Sequence, residues 1–160
     1  KTIAGSGAGL SLDYEAHAEH PGFDAWKPVL EQTSVLFVNE DGLESLLPGL
    51  TMDQAAERIL PLGVQYMVVT CAEKGGAVFT KDQSIQYRAY RAAHVADTTG
   101  AGDCFNAAFL SEIVRGSDPK AAARYAAAAS TISIGAVGAR TGLPAREQVL
   151  AFLAAEPEQI

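Results

Sequence analysis

Val35-Leu36-Phe37-Val38-Asn39, followed after a helical segment by Tyr66-Met67-Val68-Val69-Thr70, decides the fold. Each run is short, apolar and rich in β-branched residues, the pattern of a strand buried on both faces. The segment between them offers Thr51 as a helix N-cap and runs past Ala55, Ala56 and Ile59 to Gly63. A strand, a helix and a second continuously apolar strand point to a parallel sheet covered by helices.

Upstream, Leu10 to Asp13 is a further strand candidate, and after the Pro21-Gly22 break Asp24 to Gln32 reads as a helix with Trp26, Val29 and Leu30 on one side. Downstream, Gly75-Gly76 turns the chain into Ala77–Thr80. Lys81-Asp82-Gln83 is then a hairpin turn into a strand from Ser84 to Tyr90, where Ile85, Tyr87 and Ala89 alternate with Gln86 and Arg88. Past Asp97 the pattern becomes helical. Ala101 to Arg115 spaces Phe105, Ala108, Phe109 and Ile113 on one face, and Gly116-Ser117-Asp118-Pro119 ends that helix and starts another, with Ser117 or Asp118 as its cap. Lys120 to Ile134 is alanine-rich, so a second helix or a ligand can approach closely, a core helix being the plainer reading. Ala145 to Ala155 reads as a last helix burying Val149, Leu150, Phe152 and Leu153. No repeat or linker interrupts the pattern, which describes one α/β unit.

The 160 residues, 48% of them hydrophobic, suffice for one domain with a real core and do not fit low-complexity disorder. Two cysteines are too few for a disulfide framework, and Cys71 and Cys104 read as reduced, buried small residues. No apolar run is long enough to span a bilayer, and Lys1-Thr2-Ile3-Ala4-Gly5 lacks a secretory apolar core, so the expected location is cytoplasmic. Lys1 rather than methionine opens the sequence, so the gene is expected to begin upstream. A net charge of −7 argues against nucleic-acid and membrane-surface partners, but not against a phosphorylated small molecule held by backbone amides. His17 and His20 stand near Glu15 and Glu19 at a spacing compatible with a metal, though their context reads as a solvated loop.

Asp97-Thr98-Thr99-Gly100-Ala101-Gly102-Asp103 carries the chemistry. Its two glycines leave the backbone unobstructed where a helix begins, and there the first amides lack internal partners and the helix dipole is positive. That makes an anion site, with Asp103 in the same turn. The residues alone leave anion binding and plain helix capping both open. An aspartate beside an anion site suits phosphoryl transfer, accepting the proton of an attacking hydroxyl while the amides stabilise charge on the moving group. Neither a Walker loop nor a Gly-x-Gly-x-x-Gly motif is present.

From Asp97 through Leu110, Asp-Thr-Thr-Gly-Ala-Gly-Asp-Cys-Phe-Asn-Ala-Ala-Phe-Leu resembles at every position the second signature of the PfkB (ribokinase-like) carbohydrate kinases. Ser11-Leu12-Asp13 resembles the family's strand before the nucleotide half, Val35 to Asn39 the strand leading to its Asn-x-x-Glu motif, Thr70 to Gly75 its adenine-side loop, and Gly138-Ala139 up to Pro144 its late Gly-Ala loop. The resemblance implies a ribokinase-like three-layer α/β/α fold with a mostly parallel sheet. It also implies transfer of the ATP γ-phosphoryl group to a sugar-type alcohol, with Mg2+ bridging the phosphates. Asp103 would be the catalytic base, and Gly100, Ala101, Gly102 and the Asp103 amide the anion hole. Asn39, Thr70, Glu73, Gly75, Gly138 and Ala139 would border the nucleotide, and Asp97 and Thr99 match positions that hold a monovalent cation such as K+.

Two departures stand out. The family's glutamate three places after the asparagine is Gly42 here, with Glu40 or Asp41 as candidate substitutes, and a glycine frequent two places after the Thr70 position is Ala72. The family's Gly-Gly-rich first signature, its lid strands and most sugar contacts belong to an N-terminal part that this sequence does not contain, so residues 1–160 are expected to be the C-terminal part of one kinase domain. Family dimers form through the lid, so a homodimer is expected of the full-length protein. Two readings follow: a carbohydrate kinase, with a nucleoside or vitamin alcohol as a related acceptor, or a nucleotide-binding or assembly module without kinase activity of its own.

Overall fold

The computed structural model describes residues 8–16 and 22–155. The opening Lys1–Gly5 and the pair His17 and His20 lie outside the described residues. Five strands, β1 (Ser11–Tyr14), β2 (Val35–Asn39), β3 (Tyr66–Thr70), β4 (Gly76–Phe79) and β5 (Ser84–Tyr87), follow one another in sheet order. Six α-helices accompany them: α1 (Phe23–Leu30), α2 (Glu40–Leu46), α3 (Met52–Ile59), α4 (Ala101–Val114), α5 (Pro119–Ser133) and α6 (Arg146–Ala155). The chain forms two compact units, one running to Cys71 and including Ala77–Ser84, the other made of Ala72–Gly76 and Ile85 onward.

In the first unit β1, β2 and β3 pair in parallel, with Val35 opposite Tyr66 and Asn39 opposite Thr70. The apolar runs are buried on both faces, as their composition requires. Leu36, Val38, Met67 and Val69 join Leu43, Leu46, Ala55, Ala56 and Ile59 from the helices in one core, while Phe37, Val68 and Val78 are buried on the alternate positions. Each such side chain contributes on the order of 1.5–3 kcal/mol. Thr51 caps α3 in a reciprocal capping box with Gln54. The expected helix to Gly63 tightens to a 3-10 turn over Leu60–Leu62, where Pro61 has no N–H to continue the α pattern, and stops at Gly63 with φ 108°.

The sequence reading missed α2, whose N-cap is Asn39. The helix expected over Asp24–Gln32 runs from Phe23 to Leu30, of whose expected apolar side only Leu30 is fully buried, and Gln32 and Thr33 turn back to cap the carbonyls of Pro28 and Val29.

In the second unit the alanine run of α5 is buried from Ala126 to Ala129, so α5 is a core helix, and its cap is Asp118, accepting from the amides of Lys120 and Ala121. Tyr87, Phe105 and Phe109 stack in sequence, with centroids 5.4 and 6.4 Å apart. Three expectations are corrected here. Strand β5 ends at Tyr87 rather than Tyr90 because the Gly75 turn crosses it there: a Cβ on Gly75 would stand 2.1 Å from the Tyr87 carbonyl oxygen. On α4 the buried face is Cys104, Phe105, Phe109 and Glu112, with Ala108 and Ile113 only half-buried, because Glu112 finds a cationic partner in Arg146. On α6 only Val149 is buried, and Leu150 is 46% exposed. Cys71 and Cys104 are buried and neither forms a disulfide, as expected. Among the described residues no helix is long and apolar enough to cross a membrane.

Candidate active site

The turn before α4 is built from backbone geometry that only its own residues allow. Gly100, the N-cap, adopts φ 78°, and a Cβ there would stand 2.8 Å from the Ala139 methyl. Gly100 therefore lets the Gly138–Ala139 loop pack directly on the start of the helix. No side chain caps α4. Ala101 N–H closes a turn onto Thr98 O, and Cys104 N–H bonds Gly100 O, while the amides of Gly102 and Asp103 find no acceptor among the described residues. A Cβ on Gly102 would meet nothing within 4 Å. Two donors at a positive helix end thus face open space, with the exposed Asp103 in the same turn.

Asp97 ties this turn to the late loop. Its Oδ1 accepts from Thr99 N–H at 2.9 Å and its Oδ2 from Gly138 N–H at 2.8 Å. The Thr99 amide, then the Thr99 hydroxyl and the Gly138 amide, hold the Asp97 carboxyl below the usual carboxylate range. The amides of Ala96 and Asp97 bond the Ile134 carbonyl at the end of α5, and Ser130 Oγ donates to Ala101 O at 3.0 Å. Burial pushes the neighbouring Cys104 thiol up, partly offset by the Ser133 hydroxyl.

Beside the turn lies a cavity of about 700 Å3. Thr98 and Ala101 from the turn and Glu73 from the loop after β3 line it, together with Ala89, Val95 and Ile134. Largely apolar walls with a few polar groups suit a flat, partly apolar ligand. Ala72, also in the lining, takes φ 48°, the one positive φ outside glycine among the described residues.

Asn39 and Thr70 belong to the first unit, paired in register at the carboxyl ends of β2 and β3, where open α/β sheets bind ligands. Asn39 Oδ1 accepts from Gly42 N–H at 2.6 Å, which leaves Nδ2 as its donor. Gly42 admits no side chain: a Cβ would stand 2.7 Å from the Tyr14 carbonyl oxygen and 3.0 Å from Val38 Cγ2. The missing glutamate is thus excluded by packing, and Glu40 and Asp41 are exposed on the first turn of α2.

The structure therefore gathers Asp97, Thr99, Gly100 to Asp103, Gly138 and Ala139 in one place and sets Glu73 on the wall of the adjoining cavity. Gly75 serves the turn that carries Glu73. Sequence reading missed the Gly138 amide as the partner of Asp97, and Tyr90, Val95 and Ile134 as cavity walls. Only the irregular composition of residues 88–96 hinted that this stretch leaves the sheet. No cluster of three His, Cys, Asp or Glu able to hold a metal occurs among the described residues.

A parallel sheet with its helices in the first unit, and a glycine turn at a helix N-terminus beside a largely apolar cavity in the second, define a protein of the α/β class. The pfkB family carbohydrate kinase model matches residues 17–146, and the chain belongs to that family. It is 35% identical over 124 residues to a nucleoside kinase of Methanocaldococcus jannaschii, covering 76% of this chain and 39% of that protein. The structure of Arabidopsis thaliana ribokinase complexed with ribose and ATP superposes with TM-score 0.79 at 33% identity, over 92% of this chain and 48% of the other. An E. coli protein assigned as a ribokinase II, in complex with ATP and Mg2+, superposes with TM-score 0.76 at 26% identity, over 82% of this chain and 42% of the other. The fold is thus ribokinase-like, and the chain spans less than half the length of each of these relatives.

Proposed function

We propose that this chain is the nucleotide-binding and catalytic portion of a kinase that transfers the γ-phosphoryl group of ATP to an alcohol of a sugar or a nucleoside. The open turn from Gly100 to Asp103 carries the reading: two unpaired amides, an unobstructed glycine and a carboxylate share one helical turn. Membership of the family supports it, as do relatives named as ribokinase and nucleoside kinase.

In this reading the acceptor hydroxyl attacks the γ-phosphorus. Asp103 takes the hydroxyl proton as the new P–O bond forms, and the bond from the γ-phosphorus to the bridging oxygen breaks to release ADP. The amides of Gly102 and Asp103, with Gly100 and Ala101 shaping the backbone, stabilise the charge that develops on the transferred group. Glu73 and the cavity walls take the nucleoside end of ATP, with Gly75 holding the Glu73 turn and Gly138 and Ala139 closing against Gly100. In the first unit, Asn39 and Thr70 at the carboxyl ends of β2 and β3 keep the nucleotide-bordering role that the family resemblance implies.

Mg2+ would supply charge neutralisation for the phosphates at the Gly100–Asp103 turn. K+ would be held by Asp97 and Thr99, whose carboxylate and hydroxyl oxygens are hard donors. We read residues 1–160 as the C-terminal part of a single kinase domain, the acceptor contacts coming from the rest of it.

ATP consumption measured against a panel of sugars and nucleosides tests the reading, with the wild-type protein and Asp103→Asn side by side. Acceptor-dependent ADP release that the substitution abolishes is the expected result. ATP binding without turnover on any acceptor, indifferent to Asp103→Asn, overturns it in favour of a nucleotide-binding module.

A further inference from the structure

Glu112 lies in α4 with 6% of its surface exposed, an unfavourable place for a carboxylate unless it is paired. Burial alone would raise its pKa. Hydrogen bonds from Arg146 and Ser117 and the charges of Arg146 and Arg115 outweigh that and hold it below the usual glutamate range. Arg146, the first residue of α6, donates to Oε1, and Ser117 Oγ donates to Oε2 at 2.8 Å. The same guanidinium lies 5.2 Å from the centre of the Tyr125 ring of α5. One arginine therefore fastens the start of α6 to both α4 and α5.

Further along α6, Phe152 meets Tyr90 edge to face, with centroids 5.2 Å apart at 89°. Tyr90 is held from α5 as well: its hydroxyl accepts from Arg124 Nε at 3.4 Å and its carbonyl from Thr131 Oγ1 at 3.5 Å. Tyr90 lines the 700 Å3 cavity, whereas no residue of α6 does. Val149 is the one fully buried residue of α6, so the contacts at Arg146 and Phe152 add to a small apolar anchor.

We propose that α6 is a positioning element for the nucleoside end of the cavity: the Glu112–Arg146 pair docks the helix, and the docked helix holds Tyr90 in the cavity wall through Phe152. The inference rests on the nucleotide reading of that cavity. Arg146 and Phe152 act through Tyr90 and touch no ligand themselves. Their loss weakens the binding of a nucleoside moiety and leaves the phosphate site of the Gly100–Asp103 turn as it was.

The test is calorimetric titration of the full chain with two probes, Mg-ATP and inorganic tripolyphosphate with Mg2+. Phe152→Leu removes the edge-to-face contact at nearly constant volume, Arg146→Met removes the ion pair, Arg146→Lys restores the charge without the fork, and Leu150→Ala alters an exposed residue on the same helix. Phe152→Leu and Arg146→Met are expected to weaken Mg-ATP about three- to tenfold, the worth of an aromatic pair, with tripolyphosphate affinity unchanged. Arg146→Lys recovers part of the loss, and Leu150→Ala leaves both ligands alone. Equal losses for both probes, or unchanged Mg-ATP affinity in Phe152→Leu and Arg146→Met, overturn the positioning role. A wild-type chain that binds tripolyphosphate but gains nothing from the nucleoside of ATP overturns the nucleotide reading itself, and the inference with it.

Discussion

Two helices in this molecule begin with a glycine in the first turn, and the two glycines do opposite work. At α2 the Asn39 side chain takes the Gly42 amide, and the glycine is pressed against the Tyr14 carbonyl. At α4 no side chain caps the helix, the amides of Gly102 and Asp103 stay open, and the space a Gly102 side chain would fill is empty. The first glycine is a packing requirement inside a closed terminus. The second keeps a terminus open, where orphan donors and the helix dipole act on whatever anion arrives. A helix start that its own chain does not cap keeps its first amides available to solvent or an anion.

The largest effect that sharpens this contrast belongs to Asp103. Asn has nearly the same size but cannot take a proton, so Asp103→Asn should lower turnover by about 10²–10⁴ with ATP affinity little changed. Next comes Gly42→Ala, whose methyl would press on backbone rather than on a flexible side-chain end. It should destabilise by about 1–3 kcal/mol in urea denaturation, and a comparable stability for the variant would break the claim that α2 is closed by packing. Smallest is Asn39→Ala, which removes the α2 cap and should cost about 0.5–2 kcal/mol in the same assay, whereas Asn39→Asp, which keeps the acceptor oxygen, should recover most of it.

Much of this was legible in the chain itself. The runs at Val35–Asn39 and Tyr66–Thr70 are strands at the expected residues because continuous apolar stretches are buried on both faces and stop at the polar Asn39 and Thr70. Thr51 and Asp118 announced their helices through side-chain chemistry that acts within three residues. Helix α2 was hidden because Asn39 also ends a strand, and Glu40-Asp41-Gly42 has no apolar period. Strand β5 was overextended because the element that interrupts it, the Gly75 turn, is distant in sequence. Nothing local marks Glu112 as buried, since its partner Arg146 lies on another helix. At the candidate site the Asp97–Asp103 turn was readable from local sequence, but the clasp from Asp97 to Gly138 and the walls at Tyr90, Val95 and Ile134 are long-range contacts that a local pattern cannot carry.

The measurement that tests the central claim most directly is a calorimetric titration of Mg-ATP into the wild-type chain and into Gly102→Ala. A methyl there touches nothing in the protein and improves helix propensity by about 0.5–1 kcal/mol, so the variant should fold at least as stably as the wild type. If the open turn of α4 is where phosphate sits, that methyl occupies the ligand's space, and Mg-ATP affinity should fall at least tenfold while stability holds. Unchanged Mg-ATP affinity in a well-folded Gly102→Ala would contradict the account.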